Sequence, residues 1–161
     1  MHSKTPSDPL LGPILLVEDD PADAALIIHG FAKAGVRNPM QHVKTGDDAL
    51  AYLHGYAPYQ NRLQYPVPVL VLLDLKLPDV SGFSILHVIR NNRELRAIPV
   101  VILTGSDDFA SVKAAYDAGA SSYLVKTSNP SEVQRLAMLI NEYWLNMNKT
   151  PALVLAQKSG D

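Results

Sequence analysis

The stretch Ile14-Leu15-Leu16-Val17-Glu18-Asp19-Asp20-Pro21 decides the fold. Four apolar residues without a polar break suit a strand buried on both faces, as in a parallel sheet. The run stops at three acids. Pro21 then stands where the first turn of a helix tolerates a residue without an N–H, with Asp20 before it as N-cap. Ala24, Ile27, Ile28 and Phe31 recur at helical spacing, and Gly35 is a natural stop. The unit is strand, acidic loop, helix.

The same rhythm runs downstream. Met40 to Lys44 alternates as a strand, and Gly46 to His54 is a short helix carrying Ala49, Leu50 and Leu53. Residues 55–68 form a loop rich in Tyr and Pro, longer than most connections, hence a surface insertion or a functional loop. Val69 to Leu73 is an apolar strand ending at Asp74. After Pro78 and Gly82, which shape the turn, Phe83 to Asn92 is a helix with a broad apolar stripe. Pro99 to Leu103 is a strand ending at Thr104-Gly105-Ser106. Phe109 to Asp117 is a helix closed by Gly119, and Tyr123-Leu124-Val125 is a strand ending at Lys126. Asn129-Pro130-Ser131-Glu132 reads as a capping box opening the last helix. Val133, Leu136, Ala137, Ile140, Tyr143, Trp144 and Met147 mark its apolar face, and Pro151 blocks continuation. Five strands alternating with five helices predict an α/β fold, a doubly wound parallel sheet with helices on both faces. The expected organisation is a flexible N-terminal arm over 1–12, one domain over 13–147 and a C-terminal tail over 148–161.

Composition narrows the function. The chain has 161 residues, 47% hydrophobic and 19% charged, with 14 basic and 16 acidic residues and a formal charge of −2. That length suits one domain. The charge speaks against a cationic nucleic-acid binder. The absence of cysteine excludes a disulfide framework, a thiolate zinc site and a Cys nucleophile. No apolar run is long enough to span a membrane and no signal peptide is visible, so a cytoplasmic location is expected.

The chemistry gathers at strand ends, where open α/β sheets bind their ligands. Strand one ends in Glu18-Asp19-Asp20, strand three in Asp74, strand four in Thr104 and strand five in Lys126. If these strands are neighbours, several carboxylates, a hydroxyl and an ammonium share one cleft. Two bare carboxylates about 4 Å apart repel by roughly 4 kcal/mol at an effective dielectric near 20. A hard divalent cation with oxygen ligands relieves that repulsion. Asp20 is the exception, read as a helix cap. A carboxylate so placed can act as a nucleophile and form an aspartyl-phosphate, with a lysine and a hydroxyl on the phosphoryl oxygens. No Gly-rich phosphate loop is present. His2, His29, His42, His54 and His87 show no metal-ligand spacing.

These residues resemble the receiver domain of two-component response regulators. The matching pieces are Leu16-Val17-Glu18-Asp19-Asp20-Pro21, Leu73-Asp74-Leu75-Lys76-Leu77-Pro78-Asp79-Val80-Ser81-Gly82, Ile102-Leu103-Thr104-Gly105 and Tyr123-Leu124-Val125-Lys126, and the resemblance runs from about Ile14 to about Trp144. It implies a flavodoxin-like strand order of 2-1-3-4-5. It implies Asp74 as phosphoacceptor and Mg²⁺ or Mn²⁺ held by Glu18, Asp19, Asp74 and the backbone carbonyl of Lys76. Thr104 becomes the switch hydroxyl, Lys126 the phosphate-binding lysine and Tyr123 the aromatic that turns inward on activation. A sensor histidine kinase is the implied phosphoryl source. One departure is Thr127, where the family usually has proline after a cis peptide; a non-proline cis bond costs about 2.5–4 kcal/mol.

The ending Glu142-Tyr143-Trp144-Leu145, the long loop before strand three and the Lys126-Thr127 step look like the stand-alone regulators that serve phytochromes. That resemblance implies a phytochrome-type kinase and a homodimer. Apolar residues near the chain end make Tyr143, Trp144 and Met147 candidate dimer contacts. Only 17 residues follow Trp144, too few for a DNA-binding output domain, so direct DNA binding is not expected. A phosphorylation-independent binding module is the alternative function. A flavin carrier is disfavoured, because the acids of the first loop would repel a cofactor phosphate. A phosphatase is disfavoured because Leu75-Lys76 follows Asp74 where an Asp-x-Asp pair would be needed.

Overall fold

The computed structural model describes residues 7, 8 and 10–151. Strands β1 (Ile14–Val17), β2 (Met40–Val43), β3 (Leu70–Leu73), β4 (Val100–Thr104) and β5 (Ser122–Val125) alternate with helices α1 (Pro21–Lys33), α2 (Gly46–His54), α3 (Gly82–Asn91), α4 (Phe109–Asp117) and α5 (Pro130–Ile140). The strands form one parallel sheet in the order β2-β1-β3-β4-β5. Both the fold class and the flavodoxin-like order are as expected.

Alternation along each strand divides the core. Leu15, Val17, Val71, Leu73, Val100 and Ile102 face α2, α3 and α4, where they meet Leu53, Ile85, Ile89 and Ala115. Ile14, Leu16, Leu70, Leu72, Val101 and Leu103 face the other layer and pack on Ala24, Ile27, Phe31, Ala137 and Ile140 of α1 and α5. A strand covered on both faces has no place for a polar residue, and this is why β1, β3 and β4 read as unbroken apolar runs.

Each helix opens with a side-chain cap. Asp20 accepts from the Asp23 N–H at 2.9 Å, Thr45 from Asp48 at 3.1 Å, Ser81 from Phe83 at 3.2 Å, Asp108 from Ser111 at 2.9 Å and Asn129 from Ser131 at 2.9 Å. A cap of this kind is typically worth about 1 kcal/mol. The expected capping box at α5 takes a different form. Glu132 accepts from the Thr127 hydroxyl at 2.6 Å, and that hydroxyl accepts from the Asn129 N–H at 3.1 Å, so Thr127 bridges the two ends of the box.

The last helix also differs from its expected continuous apolar face. From Asn141 to Met147 it widens into a π-helical segment. With i to i+5 pairing, Leu145 stays over the sheet beside half-buried Trp144. Tyr143 and Met147 turn outward, 52% and 65% exposed. The described part of the N-terminal arm is tethered, since the Asp8 N–H donates to the Arg37 carbonyl at 2.7 Å and Asp8 pairs with Arg37 at 3.0 Å. Of the expected tail, Asn148 donates to the Tyr143 carbonyl at 2.6 Å and Thr150 is buried, while 152–161 lie outside the described residues.

The long loop after α2 is folded onto the domain. Arg62 donates to the carbonyls of Tyr52, Leu53 and Tyr65 at 2.7, 2.8 and 3.1 Å, and the rings of Tyr52, Tyr59 and Tyr65 pack together. Among the described residues no helix is long and apolar enough to cross a membrane.

Candidate functional site

The sheet positions the site by continuing its ladders one residue past the strands. The Glu18 N–H donates to the Val43 carbonyl at 3.1 Å and the Asp74 N–H to the Val17 carbonyl at 3.1 Å. The Lys126 N–H donates to the Thr104 carbonyl at 2.8 Å. Glu18, Asp74 and Thr104 are therefore held at the rim of the core, 1%, 6% and 1% exposed, and Asp19 emerges into solvent. Carboxylate oxygens of Glu18, Asp19 and Asp74 lie within 4.8 Å of one another.

Lys126 crosses this cluster. Its Nζ stands 2.5 Å from Glu18 Oε2, 2.8 Å from Asp74 Oδ2 and 3.0 Å from Asp23 Oδ2. Among the described residues the only cis peptide is Ala57–Pro58, so the Lys126–Thr127 bond is trans and the lysine still reaches Asp74. Burial pulls the Lys126 pKa down, but hydrogen bonds to Asp74, Glu18 and Asp23 outweigh it and hold the ammonium above its usual range. Burial pushes Glu18 up, and the Lys126 ammonium together with the Asp20 N–H offsets only part of that. Three carboxylates, those of Glu18, Asp23 and Asp74, thus surround a single ammonium.

The turn after Asp74 is fixed from several sides. The Lys76 N–H donates to Asp74 Oδ1 at 3.1 Å. Gly82 opens α3 against the backbone of Asp74, and a Cβ there would stand 2.5 Å from the Asp74 carbonyl oxygen. Asp79 accepts from the N–H groups of Gly46 and Asp47 at 2.8 and 2.9 Å, where the start of α2 favours negative charge, and its pKa falls to about 2. On the other flank, the Tyr123 hydroxyl donates to the Ser106 carbonyl at 2.5 Å, in the loop that follows Thr104.

The donor set is all oxygen, which suits a hard cation such as Mg²⁺ or Mn²⁺ and disfavours softer metals. Glu18, Asp19, Asp74 and Lys126 come together, Thr104 is buried at the end of the adjacent strand β4, and Asp20 serves as a cap and not as part of the cluster. Sequence reasoning missed Asp23. The signal was available: Asp23 is three residues after the Asp20 cap, in the first turn of α1, which opens at the strand ends.

Residues 14–137 match the family model described as the response regulator receiver domain. The chain belongs to this receiver-domain family. The receiver domain is 39% identical over 144 residues to a probable methanogenesis regulatory protein, FilR2, of Methanothrix harundinacea, covering 89% of each chain. It is 34% identical to the response regulator Rcp1 of a Synechocystis strain, covering 86% of this chain and 92% of Rcp1. A crystal structure of Rcp1 is a Mn²⁺-bound form, with a TM-score of 0.77 over 87% of this chain and 99% of the other. The phosphorylated cyanobacterial phytochrome response regulator RcpA superposes with a TM-score of 0.80 at 34% identity, covering 88% and 99%. The receiver domain thus resembles the phytochrome-associated response regulators at the level of the whole described fold.

Proposed function

We propose that this receiver domain accepts a phosphoryl group on Asp74 from the phosphohistidine of a sensor histidine kinase, in a reaction that needs a divalent cation. The observation that carries this reading is the position of Asp74. One carboxylate oxygen lies 2.8 Å from the Lys126 ammonium, and the group sits within 4.8 Å of the carboxylates of Glu18 and Asp19.

In the reaction an Asp74 oxygen attacks phosphorus, a new O–P bond forms, and the N–P bond to histidine breaks. Its electron pair returns to the imidazole nitrogen, which then takes a proton. The turn set by Gly82, Lys76 and Asp79 holds the Asp74 carboxylate in place, so little reorganisation remains. Lys126 meets the incoming phosphoryl oxygens with a fixed positive charge, and Thr104 offers a hydroxyl from the adjacent strand. Glu18, Asp19, Asp74 and the Lys76 carbonyl would hold Mg²⁺ or Mn²⁺, which neutralises phosphoryl charge when bound. No other substrate turnover is needed, so the chain is read as a self-phosphorylating signalling protein and not an enzyme acting on a separate metabolite.

The output is a protein contact. Tyr123 and the loop after Thr104 would report the phosphoryl group by shifting between two arrangements. RcpA, a cyanobacterial phytochrome response regulator, supports a phytochrome-type kinase as partner. Exposed Tyr143 and Met147, with Trp144 between them, supply an apolar surface for a homodimer.

The test is intact mass after incubation with acetyl phosphate and Mg²⁺, beside Asp74→Asn. The expected result is a metal-dependent gain of one phosphoryl group that the variant lacks. No gain in the native protein would favour a phosphorylation-independent binding module instead.

A further inference from the structure

Lys126 has three carboxylate partners, and two of them, Glu18 and Asp74, belong to the cluster that would hold a cation. A cation bound there competes with the ammonium for the same carboxylates. Asp23 is the partner outside that cluster. It is on a different element, α1, and its Oδ2 lies 3.0 Å from Lys126 Nζ.

The surroundings favour this third contact. Asp23 and Lys126 border a groove between α1 and α5 whose other walls include Leu26, Phe31, Val133 and Leu136. An apolar wall lowers the local dielectric and strengthens the pairing. The Lys126 side chain is 17% exposed and that of Asp23 is 44% exposed, so the ammonium is largely withdrawn from water while Asp23 can adjust. Asp23 also occupies the first turn of α1, where a negative charge is favoured without any lysine.

We infer that Asp23 is a positioning residue for Lys126. It anchors the ammonium through an oxygen no cation claims, so Glu18 and Asp74 can turn to the metal while the lysine stays beside Asp74. This rests on the reading of Glu18, Asp19 and Asp74 as the metal site. It assigns to Asp23 a role separate from theirs.

The test is a double-mutant cycle read by Mn²⁺ affinity, with wild type, Asp23→Asn, Lys126→Gln and the pair. Loss of a nearby negative charge weakens cation binding in either background. Loss of the anchor weakens it only when Lys126 is present to compete. The expected result is about a five-fold weakening by Asp23→Asn in the native background, the size of a well-formed partly exposed ion pair. With Lys126→Gln the weakening should be less than about two-fold, on the same scale of exposed charge effects. Asp23→Glu should recover native affinity.

Equal weakening in both backgrounds, or none in the native one, would overturn the inference and leave the phosphoacceptor reading standing. A native protein that binds no Mn²⁺ would overturn both. A second readout needs no lysine variant, should Lys126→Gln fail to fold. In the Mn²⁺-free, Mg²⁺-loaded protein the Lys126 ammonium protons should exchange slowly by NMR, and Asp23→Asn should speed them. Unchanged exchange would also overturn the proposal.

Discussion

The Tyr123 hydroxyl donates to the Ser106 carbonyl at 2.5 Å, so β5 holds the loop that leads away from Thr104. The same loop is braced by Asp108, which accepts from the hydroxyls of Ser106 and Ser111 and caps α4. Tyr123 thus connects the loop after Thr104 to the strand that leads into Lys126.

Tyr123→Phe keeps the ring in its half-buried place and removes only this bond. A hydrogen bond of this type contributes about 1 kcal/mol net. The expected outcome is a loss of that order in urea unfolding. Amide exchange should accelerate at Ser106 to Asp108, with phosphoryl acceptance retained. Unchanged exchange at these amides would show that the loop is held by Asp108 alone.

Gly82→Ala places a Cβ 2.5 Å from the Asp74 carbonyl oxygen and 2.7 Å from the Leu75 Cα, both backbone atoms. Forcing an atom into such packing typically costs about 1–3 kcal/mol. The site and the fold should suffer together, through weaker Mn²⁺ binding and a lower urea midpoint. Gly105→Ala is the control, because a Cβ there meets nothing within 4 Å and its φ is not positive. Its urea midpoint should stay at the native value.

Asp79 gives the acid limb of stability a defined direction. The N–H groups of Asp47 and Gly46 lower its pKa from 3.8 to about 2. The folded state therefore releases this proton more readily than the unfolded chain does. The resulting stability is present above pH 3.8 and is lost as pH falls towards about 2. Asp108 acts in the same window, through hydrogen bonds from Ser106 and Ser111. Asp79→Asn should flatten the dependence of unfolding free energy on pH in that interval. Parallel curves for variant and native protein would refute the assignment.

Thr127 is expected to matter through its hydroxyl. Thr127→Val removes the bridge between Glu132 and the Asn129 N–H and should cost about 1 kcal/mol, the scale of a helix cap. Thr127→Ser keeps the bridge and should remain near native stability. Because Lys126 is the preceding residue, the valine variant should also accept phosphate more slowly. Equal unfolding free energies for valine and serine would rule out the bridge.

Tyr143 and Met147 test the proposed dimer. Both are exposed on the π-helical segment, so a charge at either position leaves the domain core intact. Met147→Glu should convert a dimer to a monomer in light scattering without lowering the urea midpoint. A native protein that is monomeric with and without phosphorylation would remove the dimer from the account.

Much of the fold was legible because its signals are local. Apolar runs of four or five residues ending in acids, Thr or Lys give the strands and their chemistry. Asp20 and Asn129 open their helices with caps that depend on neighbours in sequence. What was illegible depended on distant neighbours. Asp23 meets Lys126 across more than a hundred residues, and its place in the first turn of α1 does not by itself name the lysine as its partner. The departure at Thr127 placed the reach of the lysine in question, and a trans peptide with a bridging hydroxyl resolves it. The last helix read as one apolar face at α-helical spacing, but its widening after Ile140 carries Tyr143 and Met147 away from the core.

The sequence by itself determined the element types, the parallel sheet and the placement of Glu18, Asp19, Asp74, Thr104 and Lys126 at the strand ends. These follow from hydrophobic period and from the chemistry of residues at strand ends. Tertiary structure alone decided the charge balance at Lys126, the anchoring of the Asp74 turn by Asp79 and Gly82, and which aromatic residues of the final helix face solvent. Those depend on distances between elements remote in the chain, and on how burial and neighbouring charges act across them.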